Sequence, residues 1–243
     1  LIHTNSAHYN IGGYIKLKGK LDIEKFYQTV NSAAQVFDAF KMRFELDEEK
    51  FRCYIDDKFV SLPLYEKDFS LYPQAEVEAE RWMQNNFNKV FLIQKSQLLF
   101  EHALLKISND EHWFFGKYHH LITDGYGFIV FVKYIAKKYH SLLNGENLKF
   151  EYPLYSEEAK KASAYFESEE LLKDKNYWDE KIKERPIKIL QRKFQVNPNP
   201  LKTSSTSIFK VSTERHQRYL SVSEKISGTG LQQLTLAALL IYF

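Results

Sequence analysis

The chain has a single cysteine, Cys53, in 243 residues. An internal disulfide framework is therefore excluded, and a lone thiol fits a reducing compartment. Charge of one sign is not in excess either. There are 34 Lys and Arg against 31 Asp and Glu, a formal net charge of +3. That balance predicts neither nucleic-acid nor membrane-surface binding. Long hydrophobic runs are missing: the longest, residues 234–243 with Thr235 inside it, is about half the ~20 residues that span a bilayer. No cleavable signal pattern opens the chain. The expectation is a soluble, cytoplasmic protein with no nucleic-acid or membrane partner.

What is present is apolar material for a core. Hydrophobic residues make up 44% of the chain and aromatic residues 16%, enough for one large domain or two small ones. The chain opens at Leu1 without Met and closes inside an apolar stretch where Leu231, Leu234, Ala238 and Ile241 keep a helical period. Such a face needs partners to cover it, so we expect a longer polypeptide.

Residues 9–18 read as a strand interrupted at Gly12-Gly13. Asp22 then opens a helix in which Ile23, Phe26, Tyr27, Val30, Ala34 and Phe37 recur at three and four. Residues 41–46 and 51–55 read as paired strands, and residues 74–86 as a helix with Val77 and Trp82 inward. Residues 98–107 and 112–118 form a predicted hairpin. The clearest helical pattern carries Phe128, Val132, Ile135, Ala136, Tyr139, Leu142 and Leu143, and ends at Asn144-Gly145. A further helical stretch covers residues 156–182, broken near Lys173. Asn197-Pro198-Asn199-Pro200 and the Ser/Thr run after it signal a linker. Strand 208–211 and the terminal helix would begin a second unit. Strands and helices mix without strict alternation, which favours an α/β sandwich over a doubly wound sheet.

One segment is rich in reactive groups: Lys117-Tyr118-His119-His120-Leu121-Ile122-Thr123-Asp124-Gly125. It joins a predicted strand end to a predicted helix start, where side chains and free amides converge. Adjacent residues leaving a strand point to opposite faces, so one histidine packs while the other faces a cleft. His120, nearer the loop, is the candidate for the reactive group, and His119 for the one that shapes the loop. Asp124 stands where a carboxylate caps a helix or pairs with a cation, and Gly125 lets the backbone turn tightly. The amides around Gly125 and Tyr126 are candidates to stabilise an oxyanion. No Cys or His partners sit at ligand spacing, so no metal site is expected. The other six histidines read as structural.

HHLITDG resembles the HHxxxDG signature of condensation domains of nonribosomal peptide synthetases, within the chloramphenicol-acetyltransferase-like superfamily. Further segments agree in order: Tyr9-Asn10-Ile11 with Leu17 to Asp22, the strand, loop and long helix over residues 115–143, and Tyr177-Trp178. The resemblance implies an α/β, two-layer sandwich with a mixed, mostly antiparallel sheet and helices packed on it. It also implies an N-terminal lobe over residues 1–185, a linker over 186–207 and the start of the second lobe over 208–243. Where the family usually reads RHExLRTxF, this chain has VFDAFKMRF over residues 36–44. The Arg that pairs with the signature Asp is then Lys41, whose ammonium neutralises without offering a guanidinium fork. Lys41 or Arg43 is the expected partner of Asp124.

The activity implied by this resemblance is amide-bond formation between an acyl or peptidyl thioester and the amine of an aminoacyl thioester. Both would be carried on the phosphopantetheine arms of upstream and downstream peptidyl carrier proteins, beside an adenylation domain. No cofactor bound by the domain itself is expected. His120 would either take the amine's proton or hold the amine in place. Residues 1–243 by themselves are expected to be inactive, because the family's channel runs between two lobes. Two alternatives stand beside this reading: a free-standing acyltransferase using coenzyme A thioesters, and a non-catalytic docking or scaffold domain of the same fold.

Overall fold

A computed structural model describes residues 7–47, 50–93, 97–183, 211–225 and 230. In chain order the elements are β1 (Asn10–Lys18), α1 (Ile23–Val36), β2 (Met42–Asp47), β3 (Lys50–Ile55), β4 (Tyr65–Asp68), α2 (Ala75–Phe87), β5 (Phe100–Ser108), β6 (Glu111–His119), α3 (Gly125–Leu143), α4 (Tyr155–Phe166), α5 (Glu169–Lys181) and α6 (Thr213–Lys225). A short 3₁₀ turn, Asp38–Lys41, leads into β2. The chain divides into two compact units, Leu1–Tyr177 and Trp178–Phe243. The predicted linker and terminal helix lie outside the described residues, as does the predicted strand up to residue 210.

The main sheet has the order β1-β6-β5-β4, antiparallel except for the β4–β5 pair, while β2 and β3 form a separate antiparallel hairpin. β5 and β6 are the central strands and are buried along most of their length. Alternation sorts their side chains into two cores. Phe100, Leu104, Phe114 and Tyr118 join residues of α1 and α3, whereas Ala103, Leu105, Trp113 and Phe115 meet Ala79 and Met83 of α2. The mixed, mostly antiparallel sheet with helices packed on it is thus present, with α2 covering the face opposite α1 and α3.

Local sequence accounts for the helices that matter to the site. Asp22 caps α1 by accepting the Lys25 amide at 3.1 Å. The Asp22 amide in turn donates to the Tyr139 hydroxyl of α3 at 2.9 Å, and Ser32 meets the Tyr134 hydroxyl at 2.7 Å, so α1 and α3 are tied together as well as packed. β1 runs unbroken through Gly12-Gly13. Gly12, at φ 143°, is needed there because a Cβ would collide with the Gly116 carbonyl of β6.

Several expectations are corrected. Tyr9 belongs to a 3₁₀ turn and not to the strand. Val77 is exposed, because the buried stripe of α2 runs through Ala79, Met83 and Asn86; Trp82 beside it is half-buried. The break in the long helical stretch falls at Glu167–Ser168 and not near Lys173. There Ser168 donates to the Tyr165 carbonyl and accepts the Leu171 amide, ending one helix and capping the next. β4, polar and exposed throughout, was not expected as a strand.

Candidate active site

β6 ends on His119, and the chain turns through Leu121–Asp124 into α3. His119 and His120 both have their backbone fixed: the His119 amide donates to the Leu99 carbonyl and the His120 amide to the Tyr9 carbonyl, each at 2.8 Å. Their side chains part as strand alternation requires. His119 is 3% exposed and packs against the Tyr9 and Phe91 rings. Its Nδ1 accepts the Leu121 amide at 3.1 Å, which assigns the proton of the neutral ring to Nε2. Burial, and secondarily the neighbouring His120, push its pKa down. His119 is therefore a neutral group that shapes the turn.

His120 is exposed. Its side chain lines a cavity of about 710 Å³ and also a second one of about 400 Å³ bounded by Tyr9, His119 and Leu121. The larger cavity is walled mainly by rings, among them Phe37, Phe40, Phe128, Phe131 and Tyr152. His120 thus borders both cavities.

Asp124 caps α3: its Oδ1 accepts the Gly127 amide at 2.7 Å and its carbonyl accepts the Phe128 amide at 3.0 Å. A Cβ at Gly127 would meet Thr123 Oγ1, so a larger residue there obliges the Thr123 side chain to turn. Gly125 and Tyr126, the first two helical residues, are exposed, and their amides face the helix's positive end. The expected ion pair of Asp124 with Lys41 or Arg43 is absent among the described residues. Arg43 is 4% exposed and donates to the Phe40 and Met42 carbonyls, with Asp56 at 3.5 Å. A guanidinium held inside β2 by backbone acceptors is not free to reach the loop. Lys41 is half-buried at the end of the 3₁₀ turn, where its carbonyl accepts the Asp56 amide.

Two further groups shape the site. Asp38 is 8% exposed, and its two carboxylate oxygens accept the Tyr155 and Ser156 amides at 2.7 and 2.9 Å. It thereby anchors the start of α4 and the Tyr152–Tyr155 wall of the larger cavity. The only sequence signal was its place in the VFDAFKMRF segment, which says nothing of a partner 117 residues away. Beneath the loop, His102 is fully buried and hydrogen bonded to the Tyr118 hydroxyl at 2.9 Å. Its structural reading stands.

Among the described residues no three His, Cys, Asp or Glu side chains group so as to hold a metal ion, and no helix is long and apolar enough to cross a membrane.

The Condensation domain family model matches residues 1–243. Enterobactin synthase component F of Shigella flexneri is 23% identical over 235 residues, 94% of this chain and 18% of that protein. Isonitrile lipopeptide synthase of Streptomyces coeruleorubidus is 24% identical over 186 residues, 76% of this chain and 13% of that protein. The chain thus spans less than a fifth of the length of these relatives. The starter condensation domain of rhizomide synthetase RzmA has a similar fold, with a TM-score of 0.69 at 20% identity, over 74% of this chain and 43% of that one. VibH, an NRPS condensation enzyme, gives 0.65 at 23%, over 76% and 42%. The chloramphenicol-acetyltransferase-like architecture implied by HHLITDG is the one these structures share, and with the family match over its whole length this chain belongs to the condensation domain family.

Proposed function

We propose that this chain is the His-bearing lobe of an acyltransferase that makes an amide from two carrier-bound thioesters. The amine nitrogen of an aminoacyl thioester attacks the carbonyl carbon of an acyl or peptidyl thioester. The C–S bond breaks, and the thiol leaves with the proton the amine gives up. A thioester is already activated, so alignment is the main requirement, worth up to ~7–11 kcal/mol in well-oriented systems. The observation that carries this reading is the His120 ring, exposed to two cavities while its neighbour is packed away.

In this reading His120 takes the amine's proton or holds the amine at the carbonyl. The Gly125 and Tyr126 amides stabilise the oxyanion, a role favoured by the helix N-terminus. His119 and Asp124 hold the loop, and Lys41 and Arg43 brace the segment leading into β2. The substrates ride on phosphopantetheine arms of upstream and downstream peptidyl carrier proteins, with an adenylation domain in the same cytoplasmic protein, and the domain binds no cofactor of its own. A channel between two lobes leaves residues 1–243 alone without activity.

The test is His120→Ala in the full-length protein with both carriers loaded. Amide formation is expected to fall by about 10²–10⁴-fold, and undiminished turnover would refute the role of His120. A second reading, an acyltransferase drawing on coenzyme A thioesters, is favoured by one observation: a rhizomide starter condensation domain of similar fold was crystallised with C8-CoA. Turnover with acyl-CoA and no carrier would support it.

A further inference from the structure

We propose that the larger cavity beside His120 selects an uncharged, apolar acyl group, aliphatic or aromatic, and that Ala39 sets how long a group it admits. This rests on the acyl-transfer reading and names its donor class.

The wall is apolar, and much of it is immobile. Phe40, Ile122 and Phe131 are at most 6% exposed and belong to the core, so this part of the cavity keeps its shape without a ligand. Phe37 is held from several sides, by edge-on contacts with Phe131 and Tyr134 and a tilted one with Tyr152. Ala39 sits between Phe37 and Phe40 on the Asp38–Lys41 turn and lines the same space with only a methyl group. Any larger residue there takes up part of that space.

Tyr152 and Tyr155 bring hydroxyl-bearing rings to the wall formed by residues 152–155, and the remaining polar side chains come from one place. His120, Thr123, Asp124 and Tyr126 come from the loop and the first turn of α3, where the helix amides also begin. An acyl carbonyl placed there has amides for its developing charge, and its chain is left to the rings. That arrangement assigns the cavity to the donor and not to the amine. Among the described residues lining the cavity there is no Lys or Arg, and the one carboxylate is Asp124. A carboxylate on the incoming chain would lose its hydration with no cation to replace it and a like charge in the lining.

The full-length protein is titrated calorimetrically with pantetheine thioesters of acetate, butyrate, hexanoate, octanoate, benzoate and succinate. The same groups are then supplied on the upstream carrier and amide formation is followed. Affinity and kcat/KM are expected to rise by about three- to fourfold per methylene until the cavity is filled, with succinyl more than about tenfold weaker than butyryl. Ala39→Phe moves the break point to shorter chains. Val130→Phe, on the α3 wall, is the second variant should the first fold poorly. Affinity flat across the series, or succinyl matching butyryl, overturns the proposal, and an unchanged break point in folded Ala39→Phe overturns the part given to Ala39. Selective binding without amide product supports the cavity assignment and defeats the acyl-transfer reading; product without selectivity does the reverse.

Discussion

His102 and Tyr118 are locked together under the active loop, imidazole Nε2 to phenol oxygen at 2.9 Å, with neither side chain more than 1% exposed. The His102 ring also lies parallel to Phe131 of α3, with centroids 5.3 Å apart. The strand that delivers His120, the strand beside it and the helix after the loop therefore meet at one pair of side chains.

This pair predicts a pH dependence of stability. Burial pushes the His102 pKa down to about 3, whereas an imidazole in an unfolded chain titrates near 6.5. Between those values the unfolded state binds a proton that the folded state does not. The folded state is fully favoured above about pH 6.5, and up to about 4–5 kcal/mol is lost as the pH falls toward 3. Burial of His112 and His119 acts with the same sign. Urea unfolding at pH 7.5, 6 and 5 measures the slope. A His102→Phe/Tyr118→Phe double variant is expected to flatten it, and an equal slope would count against the burial of His102.

The cap of α3 yields a paired test. Gly127→Ala places a methyl against Thr123 Oγ1, which must turn aside, and is expected to cost about 0.5–1.5 kcal/mol. Adding Thr123→Ala removes the collision and leaves the better helix propensity of Ala. The double variant should melt above the single one; if it melts lower, close approach is not what keeps Gly127.

Asp38→Ala frees the amides of Tyr155 and Ser156. A loss of about 1.5–3 kcal/mol is expected, concentrated at the α4 start. Hydrogen exchange reads it directly: those two amides should lose protection in the variant, and unaltered protection would contradict the anchoring role.

Lys117, 2% exposed, is bound to Glu101 at 2.9 Å and to the Asn86 carbonyl at 3.0 Å. Glu101→Leu strands a buried ammonium and is expected to cost about 3–5 kcal/mol, whereas Glu101→Leu with Lys117→Met should cost far less. Denaturant midpoints of the two variants decide it; equal losses would show that the ion pair itself carries the stability.

The sequence by itself determined the parts whose causes lie within a few residues. Asp22 and Asp124 cap the helices that follow them because a cap needs only an amide three residues on. His119 and His120 part company because successive strand residues face opposite sides. Only tertiary structure decided the rest. Tyr65–Asp68, with no apolar residue but its tyrosine, is a strand because β5 offers it a parallel edge. Arg43 goes to Asp56 and to backbone carbonyls, leaving Asp124 to its helix. Asp38 finds its amides more than a hundred residues downstream, and His102 owes its neutrality to rings from three other elements. Periodicity and capping are short-range and survive in a linear reading. Which buried polar group meets which depends on distances that exist only once the sheet and helices have closed around them.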